Sequence, residues 1–283
     1  MENQILVSVI IPCYNQGEFL EDCLTSVYAS SYREIEVIVV NDGSIDNTHL
    51  IIRELQNTFS FHLIEQENQG LAQTRNIGIL SSKGKYILPL DADDKIGVTY
   101  IENAVKKIES QKNIGIVYSK ALLFGEKQGE WKLPTFSFEQ ILTQNLIFNC
   151  ALFRMEDYNK TSGYNINMKE GWEDWDFWLS LIELGLDVEC LDEIGFYYRI
   201  RTNSMVRNLS KEKNRGLRKQ IYFNHLDLYL KHFDNPINQY FEIQDLNEFK
   251  KSFYHLLNSK DYKIGRFVLS PIRFIKKIIQ KKA

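Results

Sequence analysis

At 283 residues, with 44% hydrophobic and 13% aromatic content, the chain can bury a full core, which excludes a disordered or fibrous protein. A formal charge of -3 and a pI near 6.0 provide no overall basic field, so nucleic acid is not an expected partner. No run of residues is apolar enough for long enough to span a bilayer, and Met1-Glu2-Asn3-Gln4 does not open a secretion signal, so the expected location is cytoplasmic. Cys13, Cys23, Cys150 and Cys190 lack metal-ligand spacing and sit in apolar segments, which reads as four reduced, buried thiols.

In chain order, residues 7–11 form a continuous apolar run, and Phe19, Leu20, Cys23, Leu24, Val27 and Tyr28 then recur at helical spacing. The alternation of strand and helix repeats through 35–40, 48–55, 61–64, 71–80 and 86–90. Buried strands separated by helices make a parallel α/β sheet, and ligands of such sheets collect at the carboxyl ends of the strands. Those ends read Pro12-Cys13-Tyr14-Asn15, Asn41-Asp42-Gly43-Ser44 and Asp91-Ala92-Asp93-Asp94, so polar and acidic groups converge on one edge. From about residue 97 the pattern is mixed: a helix over 100–109, a strand over 114–119, a hairpin or loop over 125–131, and a helix near 138–145 before the apolar run 146–153. A helix with an acidic first turn follows over 172–184, then strand-like sequence over 188–198, and beyond residue 210 the chain is helical and increasingly basic.

Asp91 and Asp93 project from a rigid strand end, where a hard divalent cation could share carboxylate oxygens with a diphosphate; an acidic turn is the plain alternative. Asp42 either makes an Asp-Gly turn or accepts from the edge of a base, and Tyr14 either packs or stacks on a base. Arg75 lies near a helix start, where it could bind an anion or pair with Asp42. Glu173 and Asp174 open a helix, where capping explains acids as well as general-base duty does. Trp172, Trp175 and Trp178 suit core packing for most of that face.

Taken together, the segments 7–15, 39–44, 68–78 and 90–94, in that order and spacing, resemble glycosyltransferase family 2, with Glu170-Gly171-Trp172-Glu173-Asp174-Trp175-Asp176 similar to its acceptor-side acidic motif. The resemblance covers about residues 5–205 and implies a GT-A fold: an α/β, Rossmann-like, mixed and mainly parallel sheet flanked by helices. It implies a nucleotide-binding half over about 1–96, an acceptor-side half over about 97–205, and a helical C-terminal extension over 206–283. The implied activity is inverting transfer from a nucleotide-sugar donor, usually UDP-linked, to a glycan or lipid-linked acceptor in surface-polysaccharide synthesis, with Mn²⁺ or Mg²⁺. By position, Pro12, Tyr14, Asp42, Arg75 and Asp91 would hold the donor, Asp93 the metal, Asp174 would be the base, and Glu173 with Trp172 would shape the acceptor side.

The chain departs from the family pattern at Arg201, where many relatives carry a histidine two positions after the arginine that is Arg199 here. An arginine cannot bind a cation, so Arg199 or Arg201 is expected on the diphosphate. In the tail 264–283, Ile272, Phe274, Ile275, Ile278 and Ile279 share one helical arc opposite Arg273, Lys276, Lys277 and Lys281, which suits an anionic membrane surface or docking on the chain's own domain. Nucleotidyl transfer would call for a Gly-rich basic loop after the first strand, which Pro12-Cys13-Tyr14-Asn15-Gln16 is not. A degenerate, non-catalytic glycan or partner binder is the alternative that intact Asp91, Asp93 and Asp174 argue against.

Overall fold

The structure, a computed structural model, describes residues 5–201 and 210–269. The four opening strands are β1 Val7–Cys13, β2 Ile35–Asp42, β3 His62–Gln66 and β4 Tyr86–Pro89, joined by helices α1 Gly17–Tyr28, α2 Thr48–Leu55 and α3 Leu71–Leu80. All pairings among these strands are parallel, in the order β3-β2-β1-β4. Every residue of β1 is buried, so neither face of the sheet is open to water there; this is why its sequence is a continuous apolar run and not an alternating one.

The second half adds β5 Lys95–Ile96, α4 Tyr100–Ser110, β6 Ile114–Gly125, β7 Gly129–Trp131, α5 Phe138–Ile141, β8 Leu152–Arg154, α6 Met155–Tyr158, α7 Glu173–Ile182 and β9 Asp187–Ile200. It continues the sheet as β4-β8-β6-β9-β5, with β7 paired to β6 as the hairpin that the Gly-containing stretch suggested. Here β8 runs antiparallel to both β4 and β6, while β6 and β9 are parallel, so the described sheet is mixed. Helices α8 Lys211–Asn224, α9 Leu226–His232 and α10 Pro236–Asn258 follow.

The chain divides into two compact units, Met1–Leu226 and Asp227–Ala283, so α8 belongs with the first and not with an extension that begins near residue 206. Leu217 and Ile221 of α8 are buried, and Asn224 Nδ2 donates to Asp176 Oδ1 at 2.6 Å. In the second unit α10 carries exposed Ile237, Phe241, Leu246 and Phe249. The apolar arc of the predicted amphipathic tail, from Ile272 onward, lies outside the described residues. No helix among the described residues is long and apolar enough to cross a membrane.

One cysteine expectation is corrected. Cys13, Cys23 and Cys150 are buried, but Cys190 is exposed. Strand β5 pairs only with Phe196 and Tyr197, so the earlier part of β9 is a sheet edge whose residues are largely open, and Cys190 is among them.

Candidate active site

Two adjoining cavities lie at the carboxyl ends of β1, β2 and β4. The first, about 560 Å³, is lined by Pro12, Tyr14, Asp42, Asn68, Gly70 and Lys169, among others. The second, about 410 Å³, includes Arg75, Asp93, Trp172, Asp174, Arg199 and Arg201. Gln16, Leu71, Asp91, Gly171 and Glu173 line both, so the two form one continuous cleft. All eleven residues singled out from the sequence therefore meet there, including pairs a hundred or more positions apart.

Local chemistry explains the floor. Gly43 has a φ of +69° and lies under the chain at residue 68, where a Cβ would come within 2.6 Å of the Asn68 amide. That close crossing lets Asp42 tie down the loop leading into α3: its Oδ1 accepts from Gln66 Nε2 at 2.7 Å and Gln69 N at 2.8 Å, and its Oδ2 accepts from Gly70 N at 3.0 Å. Asp42 is thus already engaged in holding the cavity wall, with one lone pair on Oδ2 unassigned by these bonds. Tyr14 is 43% exposed at the rim, as a ring available for stacking must be.

Helix α3 packs against the sheet through Gly78, where a Cβ would meet Ile10 Cγ2 at 2.4 Å, and this approach sets Arg75 one turn earlier into the cleft. Arg75 is 1% exposed and does not pair with Asp42. Its Nη2 donates to Asp91 Oδ1 at 2.7 Å and its Nη1 to Glu173 Oε1 at 2.6 Å, joining the two acidic turns across the cleft. Burial alone would lower the Arg75 pKa, but the two carboxylates outweigh it and hold it well above its ordinary value.

The turn after β4 is laced by arginines. Arg201 Nη2 meets Asp93 Oδ2 at 2.7 Å. Arg199 donates from its backbone N to Asp94 Oδ1 at 2.8 Å, from Nε to the Asp93 carbonyl at 2.7 Å and from Nη2 to Asp22 Oδ2 at 2.7 Å. Both guanidiniums lie near the Phe19 ring, at 4.7 and 5.1 Å. Burial and the neighbouring Asp91 push the Asp93 carboxyl up to about 6 against the pull of Arg201.

No group of three or more His, Cys, Asp or Glu side chains that could cage a metal occurs among the described residues. Asp91 and Asp93 nevertheless each keep one carboxylate oxygen outside their arginine pair. A divalent cation that arrives with diphosphate oxygens needs only one or two carboxylates, so this pair fits a cation shared with a ligand and not a preformed site.

Helix α7 is entered through Gly171 at φ +118° and Trp172 at φ +63°. Asn15, at φ +52° beside Tyr14, and Trp172 are the two non-glycine residues with positive φ among the described residues, and both flank the cleft. Such backbone costs of order 1–3 kcal/mol and persists where surrounding contacts over-determine it. Trp175 and Trp178 are core, as their spacing suggested, while Trp172 lines the cleft and packs at 5.4 Å from the Trp175 ring. Asp174 is partly exposed, and burial together with Glu173 pushes its carboxyl up to about 7.

Residues that the sequence did not single out complete the second cavity. Trp131 from the hairpin, Phe148 and Tyr198 form an aromatic wall, with ring centroids 4.6 Å (Trp131–Phe148) and 4.7 Å (Trp131–Tyr198) apart. Asn145 donates from Nδ2 to Asp174 Oδ2 at 3.0 Å. The hairpin's glycines and aromatic composition were visible in the sequence, but nothing local marked Asn145.

Residues 8–163 match the family described as Glycosyl transferase family 2. The chain is 27% identical over 290 residues to a chondroitin synthase of Pasteurella multocida (strain Pm70), an alignment covering 98% of this chain and 28% of the synthase. The chain thus spans about a quarter of the length of the first curated relatives it matches. Among solved structures, Staphylococcus aureus TarS 1-349 in complex with UDP-GlcNAc aligns with a TM-score of 0.62 at 19% identity, over 78% of this chain and 67% of that one. The mannosyltransferase PcManGT of Pyrobaculum calidifontis, in complex with GDP-Man and Mn²⁺, aligns with a TM-score of 0.59 at 16% identity, over 95% and 85% of the two chains.

Proposed function

The chain belongs to glycosyl transferase family 2, and from that premise we propose that it transfers a sugar from a nucleotide-diphosphate donor, with inversion, to a hydroxyl of a glycan or lipid-linked acceptor in surface-polysaccharide synthesis. A UDP-sugar is the donor that relatives favour, since TarS is described with UDP-GlcNAc and another relative as a UDP-Glc glucosyltransferase. The observation that carries the reading is a charge pattern. Of the four carboxylates lining the second cavity, Asp91, Asp93 and Glu173 each sit 2.6 to 2.7 Å from an arginine, and Asp174 is paired to an amide instead.

The base and ribose lie in the first cavity, against Tyr14 and Pro12, beside the wall that Asp42 secures. The diphosphate faces Arg199 and Arg201, whose charge offsets what develops on the leaving oxygen. The acceptor oxygen attacks the anomeric carbon, its bond forming as the carbon–oxygen bond to the diphosphate breaks, and its proton goes to an oxygen of Asp174. Glu173, fixed by Arg75, and Trp172 orient the acceptor. Asp93, with Asp91, would hold Mn²⁺ or Mg²⁺, which neutralises diphosphate charge when bound.

The second unit supports a peripheral membrane contact. Residues 227–283 contain eleven Lys and Arg against six Asp and Glu, a net charge of +5 in a chain whose total is -3. Anionic lipid attracts such a segment; deletion of residues 264–283 is expected to abolish binding to anionic vesicles, and binding retained by the truncated chain would overturn the membrane reading.

The test is release of UDP from a panel containing UDP-GlcNAc and UDP-glucose, with Mn²⁺, with chelator, and in Asp93→Asn and Asp174→Asn. One donor consumed by the wild type and spared by both variants supports the assignment. No release from any donor and no binding of UDP would leave the non-catalytic binder as the better reading.

A further inference from the structure

Asn145 lies four residues beyond the end of α5, on a segment with no regular hydrogen-bond ladder, yet its amide is committed on both sides. Nδ2 donates to Asp174 Oδ2 at 3.0 Å, and Oδ1 accepts from Ile147 N at 3.2 Å. The second bond fixes the orientation of the first. A flipped amide would set its oxygen against the Asp174 carboxylate and its NH₂ against the Ile147 N–H, losing both bonds at once. The other oxygen of Asp174 accepts from Trp175 N at 2.8 Å. A backbone donor and a side-chain donor thus pin the two oxygens and set the rotation of the carboxylate plane.

We propose that Asn145 is a positioning residue for Asp174: it fixes the carboxylate toward the cavity and stabilises its ionised form without supplying a charge. The proposal rests on the reading of Asp174 as the base. An arginine in this place would hold the carboxylate ionised but lower its basicity, the direction in which Arg201 pulls on Asp93 against burial; a neutral donor orients it at smaller cost to basicity. The charged groups around Asp174 are Glu173 on its own helix and Arg75 from α3, with Asp91, Asp93, Arg199 and Arg201 on the walls of the same cavity. Burial and Glu173 raise its pKa, while Arg75, the Trp175 N–H and the Asn145 amide lower it, so loss of the amide moves it higher.

Two substitutions separate this role from a merely structural one. Asn145→Asp keeps an oxygen for the Ile147 N–H but replaces the donor facing Asp174 with a second carboxylate; Asn145→Ala removes both bonds. The ¹³C carboxyl signal of Asp174, identified by its loss in Asp174→Asn, is titrated in the full chain, with UDP binding as the check on folding. The midpoint is expected to rise by about one unit in Asn145→Ala and further in Asn145→Asp, roughly a tenfold smaller ionised fraction at pH values below the midpoint. The acidic limb of UDP-GlcNAc hydrolysis should move with it, and activity should recover at high pH. An unmoved midpoint in Asn145→Asp, in protein that still binds UDP, overturns the proposal. The base reading fails separately, if Asp174→Asn turns over donor like the wild type.

Discussion

Two acidic turns face each other across the cleft, one at residues 91–94 after β4 and one at 173–176 opening α7, and they are compensated differently. In the first, Asp91 and Asp93 are each paired to an arginine, and Asp94, 1% exposed, accepts the Arg199 N–H away from the cavity. In the second, Glu173 shares Arg75 with Asp91, and Asp176 on the outer flank meets Asn224 and His225. Asp174 faces the cavity with amide partners only. Burial raises both Asp93, to about 6, and Asp174, to about 7, but protonating Asp93 forfeits its ion pair with Arg201, whereas protonating Asp174 forfeits only bonds from neutral donors. The same residue type thus serves for binding in one turn and for proton transfer in the other.

The largest expected effect breaks this contrast at its centre. Asp174→Asn keeps the shape and one of the two hydrogen bonds but cannot take a proton, and should lower kcat by about 10³-fold with UDP affinity unchanged. Because its carboxyl lies near 7, wild-type kcat/KM should rise between pH 6 and 8 as the base ionises; a flat profile would count against the assignment. Next is the residue that both turns share. Arg75→Met leaves Asp91 and Glu173 as uncompensated carboxylates around a buried site, and should destabilise the protein by about 3–5 kcal/mol, read from urea unfolding.

Arg75 also shows where sequence reading reaches its limit. Its importance is legible from its place near the start of α3 in a segment of the family pattern, but the sequence offers it an anionic ligand or Asp42 as partner. The backbone N–H groups of the loop entering α3 satisfy Asp42 locally, and Gly78 seats the helix so that Arg75 reaches Asp91 and Glu173 instead. The strand ends were readable because continuous apolar runs mark buried parallel strands and ligands gather at their carboxyl edge. Asn145 was not, because its meaning lies in a bond to a residue 29 positions away, and a short irregular segment has no periodicity to betray it. Cys190 misled for a related reason: its apolar neighbours suggested a core, and only the extent of β5 reveals that β9 has an open edge there.

The outer flank of the second turn sharpens the comparison through pH. His225 lies 3.4 Å from Asp176 and 3.3 Å from Glu183, and is 4% exposed. Burial would lower its pKa, but the two carboxylates outweigh that and raise it from 6.5 to about 9. A cation whose folded pKa is raised contributes stability in full below pH 6.5, and that contribution is lost as pH climbs through 9. Wild-type unfolding free energy should therefore fall by on the order of 2–3 kcal/mol between pH 6.5 and 9.5. His225→Gln should flatten that slope; an equal slope in the variant would mean the ion pairs do not form.

The smallest effect expected is at Arg201, where the first turn trades partners. The guanidinium holds Asp93, and a bound diphosphate would offer it a second, more highly charged acceptor in the same cavity. Arg201→Ala removes a charge-assisted contact to phosphate and at the same time leaves the Asp93 carboxylate bare beside it. In the absence of divalent cation both changes oppose binding, and UDP affinity should fall about tenfold by calorimetry. With saturating Mn²⁺ a bare Asp93 becomes an asset, since the oxygen that Arg201 occupied is free for the cation, and the deficit should narrow to roughly threefold. A deficit equal in both conditions would mean that Arg201 and the cation do not draw on the same carboxylate, and the first turn would then be a purely electrostatic cradle whose arginines act alone.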